Sequence, residues 1–168
     1  MMPVEHLRID NRLIHGQVVV TWVQAQSIDT LMVANDAIAG DDFQRAILLA
    51  VAPPSIKVLI LTIEDGLAYV ASPDHASDRI FILVNNPHDA LRLFQGGLPL
   101  RTMNVGNMSF AAGAKRVSNT VFVTPVDVRN FVGLQEAGVE LTCQMMPTDR
   151  SNDFMEMLTA AKLLPQPG

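Results

Sequence analysis

The chain has 168 residues, 49% of them hydrophobic and 17% charged, a composition that can bury a core and excludes a disordered chain. Twelve Lys and Arg stand against seventeen Asp and Glu, and the basic residues are scattered, so the electrostatic footprint of a nucleic-acid binder is missing. The lone Cys143 cannot form an internal disulfide, fits a reducing compartment, and reads as a small buried hydrophobe.

The N-terminal MMPVEHLRID has no basic n-region and no apolar h-region, so no signal peptide is expected. The longest apolar runs, ILLAVA (47–52) and VLILTI (58–63), fall far short of the roughly 18 residues that span a bilayer. With no repeat and no dividing linker, the expectation is a single cytoplasmic domain over 1–168. It would not insert into a membrane and would meet one only through a partner.

In chain order, VEHLRI (4–9) reads as the first strand. QVVVTWVQAQ (17–26) is rich in β-branched residues, and propensity alone favours a strand there. Yet Val18, Val19, Trp22 and Val23 share one helical face, and a parallel strand at LMVAN (31–35) needs a crossover before it, so 17–26 is predicted as a helix. A helix over 41–52 is stopped by Pro53-Pro54. Strand IKVLILT (56–62), helix 64–71, strand RIFILV (79–84) and helix 87–95 follow, the last opened by Pro87 and closed by Gly96-Gly97. RTMNVG (101–106) and TVFVT (120–124) read as strands. The helix over 125–137 starts at a Thr124/Asp127 capping box and stops at Gly138. VELTCQM (139–145) is a strand and 151–164 a helix. Continuously apolar strands alternating with helices predict an α/β fold: an open, mainly parallel sheet of six to seven strands with helices on both faces.

DNRLIHG then becomes the first strand-to-helix loop, on the carboxyl edge where open parallel sheets bind ligands. His15 stands just ahead of a helix N-terminus, where unpaired N–H groups and the macrodipole favour an anion. Gln17 opens that helix, and Gly16 before it lets the backbone approach closely. Arg12, and with it Arg8, offers donors suited to phosphate oxygens. Asp10 is placed to fix Arg12 or the imidazole tautomer. A neutral imidazole is a competent nucleophile, so these parts fit a histidine that accepts a phosphoryl group.

RIDNRLIHGQV (8–18) closely resembles the active-site signature of IIB subunits of the mannose/fructose/sorbose (and N-acetylgalactosamine) family of the bacterial phosphoenolpyruvate-dependent sugar phosphotransferase system. VANDAIAGDDFQRAI (33–47), the break at 52–54 and MNVGNMSF (103–110) are similar to that family at like positions, so the resemblance spans essentially the whole chain. It implies a mainly parallel α/β sheet and a phosphotransferase. The motif histidine, here His15, takes a phosphoryl group from a phosphohistidine on a IIA protein and delivers it to a sugar held by the membrane permease IIC/IID. The protein would then be cytoplasmic and peripherally associated with that permease. Some members carry IIA fused upstream; this chain is expected to be free-standing. Mannose, fructose, sorbose and N-acetylgalactosamine all remain open as the sugar.

Other classes fit less well. No G-x-G-x-x-G follows a strand, GNMSFAAGAK (106–115) has the wrong spacing for a Walker loop, and there is no G-x-S-x-G elbow. A regulatory phosphoacceptor or binding α/β domain without sugar transfer would use the same His15 and is the alternative. Asn35 and Asp36, at the end of the second strand, and Asn107 and Ser109, after the fifth, are candidate pocket residues on the same edge. Helix capping and turn formation are the competing roles for them. His6, His75 and His88 read as structural or solvated, since no pair has metal-ligand spacing, and neither a metal nor a cofactor is expected.

Overall fold

The structure, a computed structural model, describes residues 3–164. Its main sheet has seven strands in the order β3-β2-β4-β1-β5-β8-β9. These are β1 (Val4–Asp10), β2 (Thr30–Ala34), β3 (Lys57–Leu61), β4 (Ile80–Val84), β5 (Thr102–Asn107), β8 (Glu140–Cys143) and β9 (Asn152–Asp153). All neighbours are parallel except β8 and β9. Every residue of β2 and β4 is buried, which is why both read as unbroken apolar runs.

The helices divide between the two faces. α1 (Gly16–Ala25), α2 (Asp36–Ala39) and α3 (Asp42–Val51) cover one, packing Val19, Trp22, Ile38 and Leu48 onto Leu31, Val33, Phe81 and Leu83. α4 (Ile63–Ala71), α5 (Pro87–Gln95), α6 (Pro125–Glu136) and α7 (Phe154–Ala160) cover the other, around Ile9, Ile82, Val105, Phe131 and Phe154. Each fully buried large apolar side chain contributes roughly 1.5–3 kcal/mol. The predicted helix over 17–26 therefore forms, offset by one residue. Its β-branched residues are held on the sheet by Val19 and Trp22, and tertiary burial outweighs strand propensity.

Two expectations are corrected, and one short helix is added. TVFVT (120–124) is no strand of the main sheet: Phe122–Val123 (β7) pairs antiparallel with Lys115–Arg116 (β6) in a separate ribbon. The helix expected from residue 151 starts at Phe154, because Asn152 and Asp153 first pair with β8 and Asp153 then caps α7. The short α2 was not expected; the Asn35 side chain caps it by accepting from the Ile38 N–H. The Thr124/Asp127 capping box forms as predicted.

The connection leaving β1 runs to β2 on one flank of the sheet, and the one leaving β5 runs to β8 on the other. A crevice is expected at such a switch, at the carboxyl ends of β1 and β5.

Candidate functional site

The loop after β1 is built from alternate demands. A backbone turn brings the Leu13 N–H to the Asp10 carbonyl at 2.9 Å, with Leu13 at φ +57°. That left-handed conformation costs a non-glycine residue about 1–2 kcal/mol, and burial of Leu13 and Ile14 in the core beneath offsets it. Asn11 and Arg12 are left exposed above, and His15 is delivered to the start of α1. The loop is braced from β5: the Asn11 N–H donates to the Asn107 carbonyl at 3.0 Å, and Asn11 Nδ2 donates to Ser109 Oγ at 2.7 Å.

Asp10 organises the centre. Its side chain is 1% exposed; Oδ2 lies 2.9 Å from His15 Nε2, and Oδ1 accepts the Arg12 N–H at 3.0 Å. A carboxylate can only accept, so this arrangement puts the imidazole proton on Nε2. Nδ1 then carries the lone pair, and no described residue hydrogen-bonds to it. His15 occupies the N-cap position of α1 yet gives no side-chain cap. The other six α-helices are each capped by a side chain: Asn35, Asp41, Thr62, Asn86, Thr124 and Asp153. The N–H groups of Gly16, Gln17 and Val18 thus meet no acceptor among the described residues. Gly16 has φ +47° with open space where a Cβ would stand.

Beneath Asp10 the β1 row continues with Arg8 and His6, facing α1. Arg8 is 1% exposed, with Nε 3.5 Å from Asp10 Oδ2, Nη1 donating to the Gln144 carbonyl at 2.9 Å and Nη2 to Met145 Sδ at 3.3 Å. The guanidinium of Arg8, expected to offer donors to phosphate, lies buried under the site with these partners. His6 stacks on Trp22 with centroids 4.6 Å apart, and burial beside the Arg8 cation lowers its pKa to about 4.

The remaining candidates are placed as follows. Arg12 is exposed, and its side chain has no hydrogen-bond or ion-pair partner among the described residues. Asn35 caps α2 and donates to Asp89 Oδ2 at 3.1 Å, while Asp36 accepts the Ile63 N–H and pairs with Arg92 at 2.8 Å. Both stand on the expected edge, with side chains engaged in holding helices. Asn107 and Ser109 brace the His15 loop, and Ser109 also lines a cleft with Asn11, Asn85 and Phe110. His75 stacks on Tyr69 and faces Asp78, and His88 is exposed on α5. Sequence reasoning overlooked Trp22, Asn104, Gly106, Gln144 and Met145 as supports of the site. A glycine inside a strand, Gly106, was the one available signal, because it marks a close approach.

Residues 4–166 match the family model of the PTS system sorbose subfamily IIB component. The chain belongs to that family. The fructose-specific EIIB component of Bacillus subtilis is 33% identical over 158 residues, covering 94% of this chain and 97% of the relative. The mannose-specific EIIAB component of Escherichia coli is 33% identical over 152 residues, which cover 90% of this chain and 47% of that longer protein. The crystal structure of the IIBSor domain of the sorbose permease from Klebsiella pneumoniae superposes with a TM-score of 0.90 at 31% identity, covering 95% of this chain and 98% of the other. IIB components are phosphotransferases of sugar-transport systems and work with other components, such as IIA and IIC/IID. Among the described residues, no helix of this IIB component is long and apolar enough to cross a membrane.

Proposed function

We propose that Nδ1 of His15 accepts a phosphoryl group from a phosphohistidine on a IIA partner and passes it to a sugar held by the membrane components IIC and IID. The observation that carries this reading is the engagement of His15 Nε2 by Asp10, which leaves Nδ1 open beside the uncapped start of α1. In the transfer, the P–N bond to the donor histidine breaks as the P–Nδ1 bond forms. The ring keeps its Nε2 proton and so gains positive charge, which the Asp10 carboxylate at 2.9 Å stabilises. The phosphoryl oxygens meet the N–H groups of Gly16, Gln17 and Val18, the positive end of the α1 dipole, and the forked cation of Arg12. On delivery the P–Nδ1 bond breaks, the ring returns to its neutral Nε2–H form, and the sugar hydroxyl proton leaves to a base outside this chain.

The whole chain acts here as one IIB domain, cytoplasmic and docked on the permease. The match over 4–166 supports the reading as one IIB domain, and a mannose relative has a name that joins A and B components in one protein. The test is incubation with phosphorylated IIA. One acid-labile, base-stable phosphoryl group is expected, lost in His15→Ala and kept in His6, His75 and His88 variants. A label that survives in His15→Ala, or proves acid-stable, overturns the proposal.

A further inference from the structure

Arg8 poses a physical problem. A guanidinium 1% exposed has lost nearly all of its hydration, and burial pushes its pKa down against the opposing pull of Asp10. Space for it exists only because β5 carries a glycine alongside: a Cβ on Gly106 would stand 2.0 Å from Arg8 Cζ. Holding down the 144–145 loop does not require a cation. Asn104 Nδ2 already donates to the Gln144 carbonyl at 2.9 Å, and Trp22 Nε1 donates to the Met145 carbonyl at 2.9 Å. The Arg8 Nε–H meanwhile has no hydrogen-bond acceptor among the described residues, and it lies 3.5 Å from Asp10 Oδ2, the oxygen that receives His15.

The charges around this point are few. His6, packed between Trp22 and Phe81, is neutral at physiological pH because its pKa is lowered to about 4. The Cys143 thiol on β8 is pushed up by burial and is also neutral. Trp22 from α1 and Asn104 from β5 bring no charge. Arg8 and Asp10 are thus the facing ion pair under the imidazole.

We propose that Arg8 is a positioning residue whose buried charge keeps Nδ1 of His15 unprotonated. Without a neighbouring cation, a carboxylate 1% exposed has two ways to relieve its charge. It can take a proton, and the resulting acid then donates to Nε2 and moves the imidazole hydrogen to Nδ1. Alternatively it can draw a second proton onto the ring, giving imidazolium. Both routes put hydrogen on Nδ1 and block its lone pair. Arg8 disfavours both, because it stabilises the carboxylate and repels an imidazolium. The role rests on the proposed function of His15, which gives the bare nitrogen its purpose.

The test reads the imidazole nitrogens of His15 by NMR in the unphosphorylated protein, beside the rate of phosphoryl uptake from phosphorylated IIA. The unaltered protein is expected to show hydrogen on Nε2 and none on Nδ1 at neutral pH. Arg8→Gln keeps donors for the 144–145 loop and lacks the charge; it is expected to protonate Nδ1 in most molecules. Its uptake falls roughly ten- to a thousandfold, with the concentration dependence on IIA unchanged. Arg8→Lys restores the bare nitrogen and part of the rate. A folded Arg8→Gln protein with Nδ1 still bare overturns the proposal. Should that variant not fold, the unaltered protein decides: Nδ1 protonated at neutral pH overturns it equally. If instead the imidazole responds as expected but His15 never takes up phosphate, the function of His15 fails and the effect of Arg8 on its ring stands.

Discussion

The 2.9 Å contact between Asp10 Oδ2 and His15 Nε2 joins the last residue of β1 to the N-cap of α1 across four intervening residues. It selects one ring nitrogen. Asp10 is the buried end of a sheet strand, 1% exposed, and with its Oδ2 on Nε2 the Nδ1 atom has no hydrogen-bond partner among the described residues. Most consequences that can be measured follow from this pair.

Replacing Asp10 by Asn keeps an acceptor for Nε2–H but removes the charge that meets the phosphorylated ring. Phosphoryl uptake should fall roughly ten- to a thousandfold, the scale of losing a charge-assisted contact in the transition state. The same change leaves Arg8 buried without its counter-ion, so stability should drop by about 3 kcal/mol. Stopped-flow or quench transfer from phosphorylated IIA, together with urea unfolding, reads both effects. Full activity in Asp10→Asn would show that the carboxylate only orients the ring.

Arg12 stands in solvent on the loop with no side-chain partner among the described residues, and in the proposed transfer it meets the phosphoryl oxygens. Arg12→Ala is expected to slow transfer by roughly ten- to a thousandfold with little effect on stability. Arg12→Lys should recover only part, since a single ammonium cannot reproduce a forked contact. An unchanged rate in Arg12→Ala would turn the residue toward IIA docking instead.

Phosphorylation should leave a local mark in amide spectra. The N–H groups of Gly16, Gln17 and Val18 lack acceptors among the described residues, so they are expected to show the largest shifts and the greatest gain in exchange protection. Arg12 and the loops after β2 and β5 should respond less. Changes concentrated at His75 or on α7 would place the phosphoryl group elsewhere.

His6 should make stability depend on pH. Its pKa is about 4 in the fold against an ordinary 6.5, so between those values the unfolded chain binds the extra proton. The contribution is therefore fully present above pH 6.5 and is lost as the pH falls toward 4, about 3 kcal/mol in all. Denaturation midpoints measured across that window should fall more steeply for the unaltered protein than for His6→Phe, which stacks on Trp22 without titrating. Parallel curves for the two proteins would count against a neutral buried His6.

Local signals in the sequence determined the alternation of strands and helices, the capping box at Thr124 and Asp127, the helix after His15, and so the strand end and loop that carry Asp10, Arg12 and His15. These are properties of residues within a few positions of one another: apolar periodicity, caps and turn formers act through the nearest backbone. Tertiary structure alone decided which partners those residues find. Arg8 and Asp10 are neighbours in sequence, yet the carbonyl that holds Arg8 comes from Gln144, 136 residues away, and Gly106 gives the guanidinium its space from an adjacent strand. The same holds for TVFVT, whose β-rich composition suits a strand but cannot say which strand it will pair with. Strand order follows from how the whole chain buries its two apolar faces, a sum over contacts far apart in sequence. That order puts Arg8 beneath Asp10 and leaves Arg12 in solvent, two arginines four residues apart with opposite environments.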